Sequence, residues 1–288
     1  MRKTHFKILF IIVLLLQLQI ETVQASEGVM EVHFINVGQG DSILIQTPEQ
    51  EHILIDGGPP EASAKVLDYL EEQKVQELDL LIATHPDIDH IGGLLPIINQ
   101  FPIKEIWDSG KFYYTRTYHR YFRNIKKKNI PLHIVKLNTV KALSDNTSLI
   151  VLNANSILKT NNQSSLALQL TMDNIDFLLM SDVEKKQELK IMQRTDVDAE
   201  ILKVAHHGSD TSSSFAFLQA VDPEIAILSY GKDNTYGHPV RVTVDHLLAV
   251  GATIYSTAKA GDIVITTDGD NYNVTNSGLE RLLIKPFR

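Results

Sequence analysis

The segment THPDIDHIGG, residues 84 to 93, sets two imidazoles and two carboxylates within six residues: His85, Asp87, Asp89 and His90. Carboxylates this close repel when both are ionised, and each has its pKa raised. A divalent cation removes that conflict. In a chain with no cysteine, imidazole, carboxylate and amide or backbone oxygen are the ligands left for it. Pro86 stiffens the run, and Gly92-Gly93 lets the backbone wrap tightly behind it. Taken alone, the segment also reads as a solvated, acidic first turn of a helix.

The surrounding elements favour the metal. Several predicted strands end in groups that bind metals or carry protons: Asp56 after HILI, His85 after LDLLIAT, Asp182 after IDFLLMS and His206 after EILKVA. Four such ends imply one shared edge. YGHP places His238 directly before Pro239 at a predicted helix start. AHHGSDTSSS adds His206, His207 and a serine-rich helix start. That start reads either as capping by Ser212 or as a phosphate seat, with free N–H groups and the hydroxyls of Ser209 and Ser212 facing an anion.

The elements that must position these groups follow from hydrophobic period. MEVHFINV (30–37), SILIQT (42–47) and HILIDGG (52–58) alternate and carry β-branched residues, which predicts short strands in hairpins. LDLLIAT (78–84) is a continuous apolar run, expected for a strand buried on both faces. Val66, Leu67 and Leu70 have helical spacing, while IKEIWDS, LHIVKLN and SLIVLN are further strands. SLALQLTM and IDFLLMS flank Asp173-Asn174 as a hairpin. The last third alternates: a charged helix over 184–194, strand AEILKVA, a helix from Ser212, strand EIAILSY, a helix from Pro239, strand TIYST and a closing hairpin. This mixture predicts an α/β (α+β) chain of two packed sheets with helices outside, a four-layer αββα sandwich forming one domain over 26–288.

Residues 1–25 are read separately. Arg2, Lys3 and Lys7 precede the apolar run 8–16, and Val23-Gln24-Ala25 offers a small-x-small cleavage site, the pattern of a secretory signal peptide. Gln17 and Gln19 interrupt the run well short of a membrane span. The expectation is an exported protein of 263 residues with no stable membrane insertion after cleavage. Loss of Arg2, Lys3, Lys7 and Glu21 moves the net charge from −8 to −10, so a nucleic-acid partner requires a local basic patch. KFYYTRTYHRYFRNIKKKN (111–129) supplies one, with Arg116, Arg120, Arg123 and Lys127 at helical spacing. Tyr113, Tyr114, Tyr118, Tyr121 and Phe122 are interleaved with these cations. They either stack bases beside a tracked backbone or turn inward from an amphipathic helix.

Taken in order, NVGQGDS, ILIDGG, THPDIDHIGG, SDVE, KVAHHGSDTSS and YGHP resemble the metallo-β-lactamase superfamily. In particular they look like its branch comprising the hydrolase domain of the ComEC-type DNA-internalisation competence protein, from about Val32 to Thr275. The resemblance implies the αββα sandwich. It implies that His85 and Asp87 bind one metal, that Asp89 and His90 bind a second, that Asp182 bridges them, and that His238 completes the second site. Asp56 is similar to the acidic residue that supports the ligand loop from behind. Asn162, in NNQSSL, stands near where many members have another His ligand. The oxygen-rich set favours Mn²⁺ relative to a nitrogen-rich zinc site, although affinity order still favours Zn²⁺.

Two such cations activate water and neutralise a leaving oxygen, which suits phosphodiester hydrolysis. The function expected is a secreted metal-dependent phosphodiesterase, a nuclease acting on single-stranded DNA or RNA. Asp89 sits in the catalytic centre, and His207, or failing it His206, donates a proton to the leaving group or steadies the phosphate. Ser209 and Ser212 seat the anion, while Arg116, Arg120, Arg123 and Lys127 hold the strand. The alternatives are hydrolysis of a carboxylic ester, lactone or β-lactam by the same centre, and a metal-stabilised binding protein without catalysis.

Overall fold

Side-chain alternation decides the layering. In the computed structural model, which describes residues 28–278, the chain runs β1 (Met30–Phe34), β2 (Ile43–Gln46), β3 (His52–Ile55), α1 (Ser63–Glu72), β4 (Leu78–Ala83), α2 (Ile88–Ile91), α3 (Leu94–Gln100), β5 (Ile103–Asp108), α4 (Arg116–Lys128) and β6 (Leu132–Ile134). It continues with β7 (Val140–Ala142), β8 (Thr147–Asn153), β9 (Ala167–Met172), β10 (Ile175–Leu179), α5 (Lys185–Met192), β11 (Ile201–Lys203) and α6 (Phe215–Val221). The last elements are β12 (Ile225–Leu228), α7 (Arg241–Ala249), β13 (Thr253–Ser256), α8 (Thr257–Ala260), β14 (Ile263–Thr267) and β15 (Tyr272–Asn276). One sheet has the order β15-β14-β1-β2-β3-β4-β5-β6 and the other β13-β12-β11-β10-β9-β8-β7.

Three apolar clusters mark the interfaces between layers. Ile53, Leu80 and Ile82 of the first sheet meet Leu168, Phe177 and Ile201 of the second in the central cluster. The opposite face of β4, through Leu81 and Ala83, packs against Leu70, Ile97 and Tyr121 of the helices outside the first sheet. Leu178, Leu202 and Ala226 likewise meet Ile191, Phe217 and Leu247 outside the second. Helix, sheet, sheet, helix is the predicted αββα sandwich, and β4 is buried on both faces as its unbroken apolar run requires.

Strand direction places the site. β3 and β4 run parallel, as do β10, β11 and β12, so within each group the chain leaves every strand at the same edge. Ser181 Oγ, past β10, donates to Thr84 Oγ1, past β4, at 2.8 Å, and Leu166 N donates to Thr84 O at 3.0 Å. The two sheet edges are thereby tied together where Asp56, His85, Asp182 and His206 emerge.

Two helix starts differ from expectation. α6 begins at Phe215 with Ser214 as its N-cap, because Ser213 takes a left-handed conformation (φ 52°) that a helix beginning at Ser212 cannot contain. α7 begins at Arg241, since Val240 is still extended. The segment 1–25 read as a signal peptide lies outside the described residues. Among the described residues no helix is long and apolar enough to cross a membrane.

Candidate metal centre

Asp56 organises the ligand loop from behind. Its Oδ1 accepts from Thr84 N at 2.9 Å, and its Oδ2 accepts from Thr84 Oγ1 and from His90 Nδ1, each at 2.7 Å. Donating through Nδ1–H in this bond leaves His90 Nε2 as the free ligand nitrogen. His85 Nδ1 donates to Thr84 Oγ1 at 3.0 Å with the same consequence. The double glycine is a matter of space: a Cβ on Gly93 would collide with the carbonyl oxygen of Gly57, and Gly93 N donates to Gly58 O at 2.8 Å. The DGG and IGG turns thus lie backbone against backbone.

Asp182 divides its two oxygens. Oδ1 lies 3.4 Å from His90 Nε2 and 3.6 Å from His207 Nε2, and His207 Nε2 is 3.5 Å from Asp89 Oδ2. Oδ2 lies 3.7 Å from His85 Nε2 and 3.8 Å from His206 Nε2, and His85 Nε2 is 3.5 Å from Asp87 Oδ2. Among the described residues, the His/Asp triples whose ligand atoms all fall within 4.8 Å of one another are His85-His90-Asp182, Asp89-His90-His207 and Asp41-Asp182-His207. Asp87 and His206 stand at the rim of these triples.

The donor atoms fit a cation. His85 Nε2, His90 Nε2, His207 Nε2, Asp182 Oδ1 and Asp41 Oδ1 are all buried without a hydrogen-bond partner. Orphaned polar atoms are rare and costly one at a time. Several of them gathered around Asp182 make a ligand set. The field agrees: burial disfavours an imidazolium at His90, yet Asp182 and Asp56 outweigh it and hold this ring well above its ordinary range. Against the same burial, His207 and His90 bring Asp89 down to about 2. The pocket therefore stabilises positive charge at its centre.

The structure brings His207, and not His238, within reach of Asp89 and Asp182. The backbone explains it: His206, His207 and Gly208 are successively left-handed (φ 49°, 55° and 84°), so neighbouring imidazoles splay to opposite halves of Asp182. His207 Nδ1 donates to Ser229 O at 2.9 Å, which directs Nε2 inward. His238 stands further out, its ring 5.5 Å from that of His206 and stacked on Tyr236 at 5.7 Å. Asn162 Nδ2 lies 3.2 Å from His206 Nε2, and Asn161 Nδ2 donates to Asp87 Oδ1 at 2.6 Å.

One expectation is revised and one open alternative is decided. Ser209 and Ser212 do not face an anion: both are buried, and Ser212 Oγ donates to Ala205 O at 3.1 Å, bracing the double-histidine turn. The helix start carries no free N–H seat, because the buried Glu188 carboxylate accepts from Ser213 N, from Ser214 N at 3.0 Å and from Ser214 Oγ at 2.9 Å. On α4, Tyr118 and Tyr121 are buried and Phe122 packs beside them, so only Tyr113 and Tyr114 of the interleaved aromatics are exposed. Arg116, Arg120, Arg123 and Lys127 do form an exposed cationic face.

Asp41 and Lys203 escaped the sequence reading. Lys203 lies fully buried inside β11 and pairs with Asp41 Oδ2 at 2.8 Å, while Asp41 Oδ1 is 3.6 Å from His207 Nδ1. A lysine within an otherwise apolar strand, EILKVA, is the signal that marked it, since a buried ammonium demands a carboxylate.

An αββα sandwich with a buried His/Asp cluster at the edge where its two sheets meet is the architecture of metal-dependent hydrolases. The chain belongs to the Metallo-beta-lactamase superfamily, which it matches over residues 35–232. It is 29% identical to ComE operon protein 3 of Bacillus subtilis over 83% of this chain and 33% of that one. It is 27% identical to Competence protein ComA of Neisseria gonorrhoeae over 84% of this chain and 32% of that one. The chain thus spans about a third of these relatives. Among solved structures it shares its fold with the metallo-β-lactamase fold protein YhfI of Bacillus subtilis, with TM-score 0.53 and 13% identity over 79% of this chain and 96% of that one.

Proposed function

We propose that this chain is an exported, two-metal phosphodiesterase that cleaves single-stranded nucleic acid. The observation that carries the reading is the division of Asp182, whose oxygens face two separate sets of ligand atoms. His85, Asp87 and His206 would hold one divalent ion and Asp89, His90 and His207 the other, with Asp182 shared. Bound there, Mn²⁺ or Zn²⁺ would supply Lewis acidity toward a phosphoryl oxygen and an activated water.

The chain's own residues do the rest. Asp56 and Ser229 O fix the tautomers of His90 and His207, so that both Nε2 atoms point inward without rearrangement. Asp87 and Asp89 keep part of their carboxylate surface open to a cleft of about 300 Å³, which is where substrate approaches. His238, held outside the ligand cluster, takes the role that the sequence assigns to His207: it donates a proton to the leaving oxygen or steadies the phosphate. Similarity to the competence proteins supports a nucleic-acid substrate, and the exposed cationic face of α4 supports a strand running outward from Thr117, which lines the same cleft.

The test is hydrolysis of bis-p-nitrophenyl phosphate and of labelled single strands by protein stripped and reloaded with Mn²⁺, Zn²⁺ or Mg²⁺. Cleavage of both, abolished by Asp182→Ala, is expected. Inactivity with every ion, or turnover of nitrocefin or a lactone alone, refutes the reading.

A further inference from the structure

The cleft outside Asp87 and Asp89 has aromatic walls that the metal ligands do not explain. Tyr113 and Tyr236 line it from two different loops, with Ile88 and Thr117 beside them. Tyr236 is 67% exposed and Tyr113 38% exposed, although a tyrosine ring gains by being covered.

Neither loop is loose. Asn234 Nδ2 donates to Gly231 O and His238 O, each at 2.7 Å, and its Oδ1 accepts from Tyr236 N at 3.2 Å and His238 N at 3.0 Å. The Tyr236 ring then lies on His238 with only 22° between their planes. On the other side Phe112 packs edge-on against Tyr118 of α4 at 5.6 Å and anchors the segment that carries Tyr113. Two rings are thus held open over a space of about 300 Å³, at the small end for a ligand site and too small for a duplex.

Among the described residues, no lysine or arginine lines this cleft. Its walls recognise something flat and uncharged, while the carboxylates on its floor lie beside the ion cluster. Resting on the phosphodiesterase reading, we infer that Tyr113 and Tyr236 grip one unpaired nucleobase of a single strand and so deliver the adjoining phosphate to the centre. Stacking of this kind tolerates any base and requires the base to be free of its partner. Preference for single strands over duplex is the consequence.

The experiment is fluorescence anisotropy of a labelled thymidine strand, its ribose counterpart, the corresponding duplex and a strand of abasic sugars, each titrated with the full chain in Ca²⁺. Tyr236→Ala and Tyr113→Ala should each weaken binding of both base-bearing strands about 5- to 100-fold, with metal content unchanged. Tyr236→Phe should bind as wild type does, and the abasic strand should bind wild type as weakly as the thymidine strand binds the alanine variants. Equal affinity for abasic and thymidine strands, or alanine variants that bind normally, overturns the base site. Strand binding that depends on both tyrosines in a protein that cleaves no phosphodiester sinks the catalytic reading alone. Cleavage indifferent to both tyrosines sinks the base site alone.

Discussion

Single atoms separate His207 from His238. His207 Nε2 lies 3.5 Å from Asp89 and 3.6 Å from Asp182, whereas His238 only neighbours the other rings. His207→Ala should therefore lower metal affinity by at least the roughly 10- to 100-fold seen when a supporting residue is lost, read by equilibrium dialysis. His238→Ala should keep its metal and lose about 100-fold or more in kcat. The opposite pattern would restore the assignment implied by family resemblance. Spacing does not separate these candidates, because adjacent residues in a left-handed turn follow neither the helical nor the strand period. The place of Asp56 at a strand end was legible from hydrophobic period, while its supporting role came from the family resemblance. Asp41 was not, because its partner Lys203 comes from the other sheet.

Asp108, which ends β5 beside Ala83 of β4 and is no metal ligand, gives the molecule a pH dependence. Burial pushes its carboxyl up from 3.8 to about 6, although Gly110 N and the Tyr121 hydroxyl both donate to it. Between those two values the folded chain keeps a proton that the unfolded chain has lost, so stability contributed by this group falls as pH rises through that window. A shift of about two units corresponds to on the order of 3 kcal/mol. Asp108→Asn should shrink the loss of stability between pH 4 and pH 7 by that order, measured by urea denaturation. An unchanged difference would contradict it.

At the scale of elements, buried strands were readable because period and length agree, as in the unbroken run of β4. Helix starts were less so. The serines before α6 read as an open anion seat, but the carboxylate that fills it comes from α5 and is hidden in a charged helix. Glu188→Ala leaves those donors without a partner and should cost about 2–3 kcal/mol, measured as a fall in urea midpoint; a change within error would mean that water replaces the carboxylate freely. α4 shows the same limit from another side. Its cations were legible, yet the inward turn of Tyr118 and Tyr121 depends on the sheet surface they meet.

For the molecule as a whole, the proposed function requires an acidic chain to meet a polyanion, and the exposed cationic face of α4 is where it would do so. Reversing Arg120 and Arg123 to Glu should weaken strand binding and flatten its salt dependence by about two phosphate contacts, while hydrolysis of bis-p-nitrophenyl phosphate stays as it was. An unaltered salt slope would place the strand elsewhere. The four layers were legible because two mixed sheets that bury one face against each other leave the outer face of each for the helices of its strand-helix units to cover.

The central claim is that Asp182 is shared by two ions. Anomalous diffraction from a crystal grown with Mn²⁺ tests it directly. Two peaks are predicted, one among His85, Asp87 and His206 and one among Asp89, His90 and His207, with Asp182 contacting both. A single peak, or one coordinated by His238 in place of His207, would contradict it.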